Sequence, residues 1–74
     1  MATTLGSVTG QVRAVGTRGQ LSYAEAGAGA VVIRDGDGSG TIICNLAANE
    51  KFYPSCPVDF DGLNLSAAAV IHLK

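Results

Sequence analysis

Residues 35–40, which read Asp-Gly-Asp-Gly-Ser-Gly, separate two short runs that are rich in β-branched side chains. Residues 30–34 before them read Ala-Val-Val-Ile-Arg, and residues 41–46 after them read Thr-Ile-Ile-Cys-Asn-Leu. Valine, isoleucine and threonine favour strands, whereas glycine and aspartate tolerate the positive φ angles of tight turns. The pattern therefore predicts a β-hairpin in which residues 35–40 join two antiparallel strands.

The same segment also resembles the first half of an EF-hand calcium loop. Asp35, Asp37 and Ser39 stand at the first, third and fifth positions of that loop, and Gly40 stands where the loop needs a glycine. The second half does not fit, because Leu46 occupies the position of the bidentate glutamate. We therefore expect a turn, and we keep Asp35, Asp37 and Ser39 as a weak candidate calcium site. No other metal site is predicted.

The composition indicates a domain whose surface is shared with a partner. The chain has 74 residues, of which 47% are apolar and only 15% are charged, whereas ordinary domains carry about 25% charged residues. A chain of this size buries only about 60% of the surface that its unfolded form exposes. We expect a homo-oligomer, or docking on a larger assembly, to cover the remaining apolar surface. The net charge of −1 and the lack of a basic run argue against nucleic-acid and membrane partners.

The cysteines are expected to be free thiols. No stretch is long and apolar enough to span a bilayer, and residues 1–6 lack the features of a signal peptide. We therefore expect a chain that is made and kept in a cytoplasm, where Cys44 and Cys56 would stay reduced. Two cysteines and one histidine are too few ligands for a structural zinc site.

Short alternating segments along the whole chain predict an all-β fold. Residues 7–15 alternate as a half-buried strand, residues 16–19 form a turn, and residues 20–25 form a second short strand. Residues 47–51 could form a short helical turn, and residues 52–54 and 57–60 belong at an edge or in a loop because each segment is short and bounded by proline. Asp61 and Gly62 form a turn, and the last two strands cover residues 63–65 and 67–73, separated by Ser66.

We therefore predict a small antiparallel β-sandwich or barrel of about six to eight short strands. It forms a single β domain over residues 1–74, with residues 1–6 as a candidate flexible N-terminal arm. Alternation within the strands predicts eight buried core residues, namely Val8, Val12, Val32, Ile42, Cys44, Phe60, Leu65 and Ile71.

No group of residues in the sequence indicates catalysis. His72 lies in an alternating strand, and the sequence gives no indication of a nucleophile or a carboxylate beside it, so we interpret it as an ordinary strand histidine. Asp59 and Asp61 flank Phe60, and we interpret them as the solvated side of an edge strand, with a carboxylate pair or metal ligands as the alternative. The four aromatic residues are too few and too scattered for a base-stacking platform or a sugar-binding strip. We predict no enzyme, no catalytic residues and no cofactor.

Two motifs resemble a known group of proteins. Residues 31–43 read as a strand, then Arg-Asp-Gly, then Gly-Thr, then a second strand, and residues 60–63 read Phe-Asp-Gly-Leu before a final strand. This order resembles small β-sandwich proteins that are encoded among the structural genes of tailed bacteriophages. The resemblance covers residues 30–74.

The resemblance implies a virion structural protein, assembled in the host cytoplasm. In particular, it implies a capsid decoration or cement protein that binds the major capsid protein and stabilises the head. It further implies a trimer, because decoration proteins often occupy three-fold positions of icosahedral shells. Two alternatives stay open: a tail or head-fibre module that binds a receptor or carbohydrate, and a small calcium-binding β module.

Overall fold

The computed structural model describes the backbone of residues 3–74 and the side chains from residue 4 onward, and the regular structure in this part of the chain is all β-strand. The strands form one antiparallel sheet with the order β3-β2-β5-β1-β4. The sheet curls until it nearly closes into a barrel, which confirms the all-β prediction. The strands are β1 (Thr3–Ala26), β2 (Val31–Asp35), β3 (Thr41–Leu46), β4 (Lys51–Phe52) and β5 (Val58–Leu73).

Five strands are enough to close the fold because β1 and β5 are long and bent. The second half of β5 lies between the two halves of β1, so that Ile71 pairs with Leu5 on one side and with Ala24 on the other. The predicted turns at residues 16–19 and 61–62, and the break at Ser66, are therefore wrong. These positions lie within β1 and β5, where register shifts bend the strands instead of ending them.

Gly62 shows why a glycine signal inside a strand can be mistaken for a turn. Its φ angle is +116°, and an added Cβ would lie 3.0 Å from the Cα atoms of both Gly36 and Val15. The backbone N–H of Gly36 donates to the carbonyl of Gly62 at 3.0 Å. Gly62 therefore allows β5 to pass closely between β1 and the hairpin turn, a role that any side chain would obstruct.

The core confirms the predicted burial of Phe60, Leu65 and Ile71 and contradicts that of Ile42, which is 45% exposed. Ile33 pairs with Cys44 and Arg34 pairs with Ile42, so Ile43 is an extra residue that forms a bulge. A bulge reverses the alternation of the strand, and Ile43 therefore packs against the core in place of Ile42. The predicted core residues Val8, Val12 and Cys44 are half-buried at the margin of the core, and Val32 is also half-buried. The buried apolar residues are Leu21, Ala24, Val31, Ile33, Leu46, Phe60, Leu63, Leu65, Ala69, Ile71 and Leu73.

Three local expectations have other outcomes. From Thr3 onward the candidate arm at residues 1–6 is part of β1, with Thr3 paired with Leu73, whereas residues 1 and 2 lie outside the described part. Residues 47–51 form a turn, not a helical turn, because Asn49 has a φ of 62° and Lys51 begins β4. Residues 58–60, which the sequence predicts at an edge or in a loop, begin β5, and β5 lies between β2 and β1 in the sheet. Over residues 3–74 we find no helix that is long and apolar enough to cross a membrane.

Candidate functional site

The β2–β3 hairpin forms as the sequence predicts. Asp35 pairs with Thr41 at the end of the antiparallel ladder. A Cβ on Gly40 would collide with the carbonyl oxygen of Asp35, so the turn requires a glycine at this position. The Arg34 guanidinium closes the turn further, because its Nη1 donates to the carbonyl of Gly40 at 2.9 Å.

The carboxylates of the candidate calcium site hold the backbone in place. Asp37 Oδ1 accepts a hydrogen bond from the backbone N–H of Ser39 at 2.9 Å, which is an Asx-turn within the hairpin. Asp35 Oδ1 accepts from the backbone N–H of Asp61 at 2.7 Å and so attaches the hairpin to β5. Within the described residues, no three His, Cys, Asp or Glu side chains are grouped so that they could hold a metal ion. Asp35, Asp37 and Ser39 stay a weak candidate calcium site, and a turn without the ion stays the prediction.

An open cavity of about 410 Å³ lies where the hairpin, β1 and β5 meet. It brings Asp59 and Asp61 together with Asp35, and Arg18 is the one cation among the lining side chains. Asp59 also accepts a hydrogen bond from Gln20 Nε2 at 2.8 Å. Three carboxylates against one guanidinium make this cavity acidic, and its lining includes neither a hydroxyl nor a thiol nucleophile. We call it the acidic cavity, and its remaining lining residues are Gly19 and Phe60.

A second group of side chains lies on the outer face of the sheet. Tyr23 stacks on Tyr53 with ring centroids 5.2 Å apart and an interplanar angle of 28°, and on His72 at 3.8 Å and 10°. Ala24 and Ile71, the neighbours of Tyr23 and His72 in their strands, are buried and pair with each other. Because successive side chains of a strand point to opposite faces, the three stacked rings face away from the core. We call Tyr53, Tyr23 and His72 the aromatic row.

Hydrogen bonds connect this row to polar neighbours. His72 Nε2 lies 3.1 Å from Glu25 Oε2, and His72 Nδ1 lies 3.2 Å from Thr4 Oγ1. The carboxylate can only accept, so Nε2 carries the proton, and in the neutral imidazole Nδ1 accepts from the Thr4 hydroxyl. Lys51 Nζ lies 3.5 Å from the other Glu25 oxygen. The hydrogen bond from His72 lowers the pKa of Glu25 below its usual value, and the Lys51 ammonium acts in the same direction.

The order hydroxyl, imidazole, carboxylate resembles a catalytic triad, but its setting differs from that of an active site. Thr4 and Tyr23 flank His72 on adjacent segments of the sheet, where ladder pairing occupies the backbone N–H groups that an oxyanion would need. The acidic cavity is lined by other residues. We therefore interpret the aromatic row and its polar neighbours as a structural or binding surface.

Sequence reasoning missed the aromatic row because its tyrosines are far apart in the chain. Only the pairing of Ala24 with Phe52 brings Tyr23 beside Tyr53. One local signal was available: Tyr23 and Glu25 share one strand face, and Lys51 and Tyr53 share another. The register that joins the two pairs was needed to recognise the surface.

The two cysteines are free thiols in different settings. Cys44 is half-buried, and burial raises its pKa to about 11, with the Glu50 carboxylate acting in the same direction. The thiol therefore stays protonated at neutral pH and is a poor nucleophile. Cys56 is exposed.

One edge of the sheet carries no charge. β3 is the terminal strand of the sheet order, and within the described chain β2 is the strand that pairs along it. Its six residues carry no charged side chain, and Ile42 is exposed among them. We call the outer edge of Thr41–Leu46 the β3 edge.

Comparison of the chain with protein-family models, with curated proteins and with solved structures gives no match. The relation to phage structural proteins therefore stays a prediction, which depends on the motifs at residues 31–43 and 60–63.

Proposed function

We propose that this protein is a capsid decoration protein of a tailed bacteriophage, which binds the major capsid protein, stabilises the head and catalyses no reaction. The β3 edge is the observation that carries the proposal. Sheet edges of proteins that act alone usually carry charges or proline that prevent pairing with other chains. Thr41–Leu46 carries neither, and its exposed Ile42 adds apolar surface.

The mode of binding follows from the same edge. An extended segment of the capsid protein can add to β3 as a further strand, so that main-chain hydrogen bonds supply affinity and side-chain contacts supply specificity. Ile42 would then be covered by the partner, which explains a large apolar side chain that the core does not use.

The proposal also includes association of the protein with copies of itself. A stable interface buries on the order of 800 Å² per partner, which is about a fifth of the 4075 Å² that this domain exposes. Such an interface would cover much of the charge-poor surface. The trimeric state follows from the resemblance to phage proteins, with each trimer at a three-fold position of the shell.

Add-back to particles tests the proposal. Particles assembled without the protein are mixed with purified protein, sedimented, and assayed for bound copies. Wild type and V15R should bind, because Val15 lies outside the β3 edge and is 63% exposed. I42R should fail to bind while keeping the wild-type circular dichroism spectrum, because a buried, unpaired guanidinium is costly at an interface.

Two results would contradict the proposal. Equal binding of I42R and wild type would remove the role of the β3 edge. Absence of the protein from purified virions by mass spectrometry would remove the decoration role altogether, and a few copies found only at the tail would favour the alternative of a tail module.

A further inference from the structure

We propose that the aromatic row, together with Glu25 and Lys51, is a binding site for a neutral carbohydrate. This inference does not depend on the proposed decoration role. It starts from a stack of rings that is open at one end.

Tyr53 is the open end of the stack. It directly follows β4, the other terminal strand of the sheet, and its only ring neighbour among the described residues is Tyr23. The side chain is 63% exposed, whereas Tyr23 and His72 are half-buried. A tyrosine offers a large contact area with little rotamer entropy to lose, so it suits a binding surface.

The stack is held in position before a ligand arrives. Tyr23 lies between Tyr53 and His72, and His72 is fixed by hydrogen bonds to Thr4 and Glu25. Because these side chains are already ordered, a ligand that stacks on Tyr53 loses less conformational entropy of the protein.

The charges beside the stack select the class of ligand. Glu25 and Lys51 form an ion pair, so this surface has no net charge. A cation would meet the Lys51 ammonium, and an anion would meet the Glu25 carboxylate, whose ionised form His72 stabilises. Single-stranded nucleic acid needs a positively charged groove beside the stacking rings, whereas the one ammonium here is already paired.

A neutral sugar ring fits this combination. Its apolar C–H face can lie against the exposed ring of Tyr53, and its hydroxyl groups can accept from Lys51, which is two residues from Tyr53, is held by Glu25 and has a side chain that is 54% exposed. Charged hydrogen-bonding partners give stronger bonds than neutral ones. The expected ligand is therefore a hydroxyl-rich, uncharged six-membered ring.

The chain carries its own reporter for the first test. It has two tyrosines and no tryptophan, and both tyrosines belong to the aromatic row. Glucose, galactose, mannose, N-acetylglucosamine, maltose and lactose are titrated while tyrosine fluorescence is recorded, with N-acetylneuraminic acid as the charged comparison. At least one neutral sugar should give a saturable change with a dissociation constant of roughly millimolar order, and the charged sugar should bind more weakly. No saturable response to any neutral sugar would overturn the proposal.

Variants test the site with the best-binding sugar immobilised, so that the readout does not depend on the tyrosine signal. Y53A should weaken retention about tenfold, and Y53F, which keeps the ring, should stay within about threefold of wild type. V15A is the matched control, since Val15 is also 63% exposed but lies elsewhere, and it should bind as wild type does. E25Q should weaken binding without unfolding the protein. Wild-type retention by Y53A would overturn the proposal.

Discussion

At the scale of single residues, we expect stability to depend most on the buried side chains of the core. Phe60 is 4% exposed, and its ring covers Gly19 so closely that a Cβ there would lie 2.6 Å from the ring. We expect F60A to lower the free energy of unfolding by about 3–5 kcal/mol, because it removes the ring and leaves a cavity. I42A should cost less than about 1 kcal/mol, since Ile42 is largely exposed. Urea denaturation of both variants measures the difference, and an equal loss would mean that Ile42 belongs to the core.

The two thiols give a second test at this scale. Cys56 is exposed, whereas burial raises the pKa of Cys44 to about 11. Because the thiolate is the reactive form, a thiol reagent at neutral pH should label Cys56 quickly and Cys44 only after unfolding. C56S should abolish the fast phase and leave one slow thiol. If C56S still reacts quickly in the native state, Cys44 is not protected.

At the scale of elements, the hairpin could be predicted from the sequence because its signals are local. The β-branched runs and the glycine-rich turn lie within the seventeen consecutive residues 30–46, and the strands formed there. The bulge at Ile43 and the bends of β1 at Gly10 and Gly16 were not predictable in this way. Each extra residue reverses the strand face after it, so an alternation that is correct at one end fails at the other. The aromatic row forms only because segments that are distant in the sequence pair with each other, so no single segment predicts it.

A substitution in the hairpin tests whether Asp35, Asp37 and Ser39 bind calcium. D37A removes the Asx-turn bond to the Ser39 N–H and should lower stability by about 1 kcal/mol. We expect the same fall in melting temperature with millimolar calcium and with a chelator, because the carboxylate acts here on the backbone. D59A, in the acidic cavity but outside the turn, is the matched control. A loss that occurs only in calcium would show that Asp35, Asp37 and Ser39 bind the ion.

The contacts of Glu25 connect β1 with β4 and β5 and predict a pH dependence. Because His72 and Lys51 lower the pKa of Glu25 in the folded protein, its unfolded state binds protons more readily than its folded state. The stabilising contribution is therefore present above the ordinary value of 4.5 and is lost as the pH falls through the lower folded value. The stability of wild type should fall more steeply below this pH than that of E25Q. Parallel acid titrations of both proteins measure the slopes, and equal slopes would contradict the prediction.

At the scale of the whole molecule, the two proposed surfaces belong to the two terminal strands of the sheet order, which come close together because the sheet nearly closes. The β3 edge is uncharged and carries Ile42, whereas Tyr53 follows the terminal strand β4. Substitutions at Ile42 and at Tyr53 therefore test whether the proposed capsid contact and the proposed carbohydrate site act independently.

The comparison of substitutions at Ile42 and at Tyr53 gives the last prediction. Phage particles that lack the protein should assemble but release their DNA at a lower temperature than wild-type particles, because one set of shell contacts is missing. Adding back wild-type protein should restore the release temperature, and Y53A should restore it equally, since Tyr53 is not one of the residues of the β3 edge. I42R should not restore it. Release of DNA on heating, followed by the fluorescence of an intercalating dye, measures all five samples in one experiment. Particles without the protein that are as heat-stable as wild type would contradict the decoration role, and failure of Y53A alongside I42R would mean that the two surfaces do not act independently.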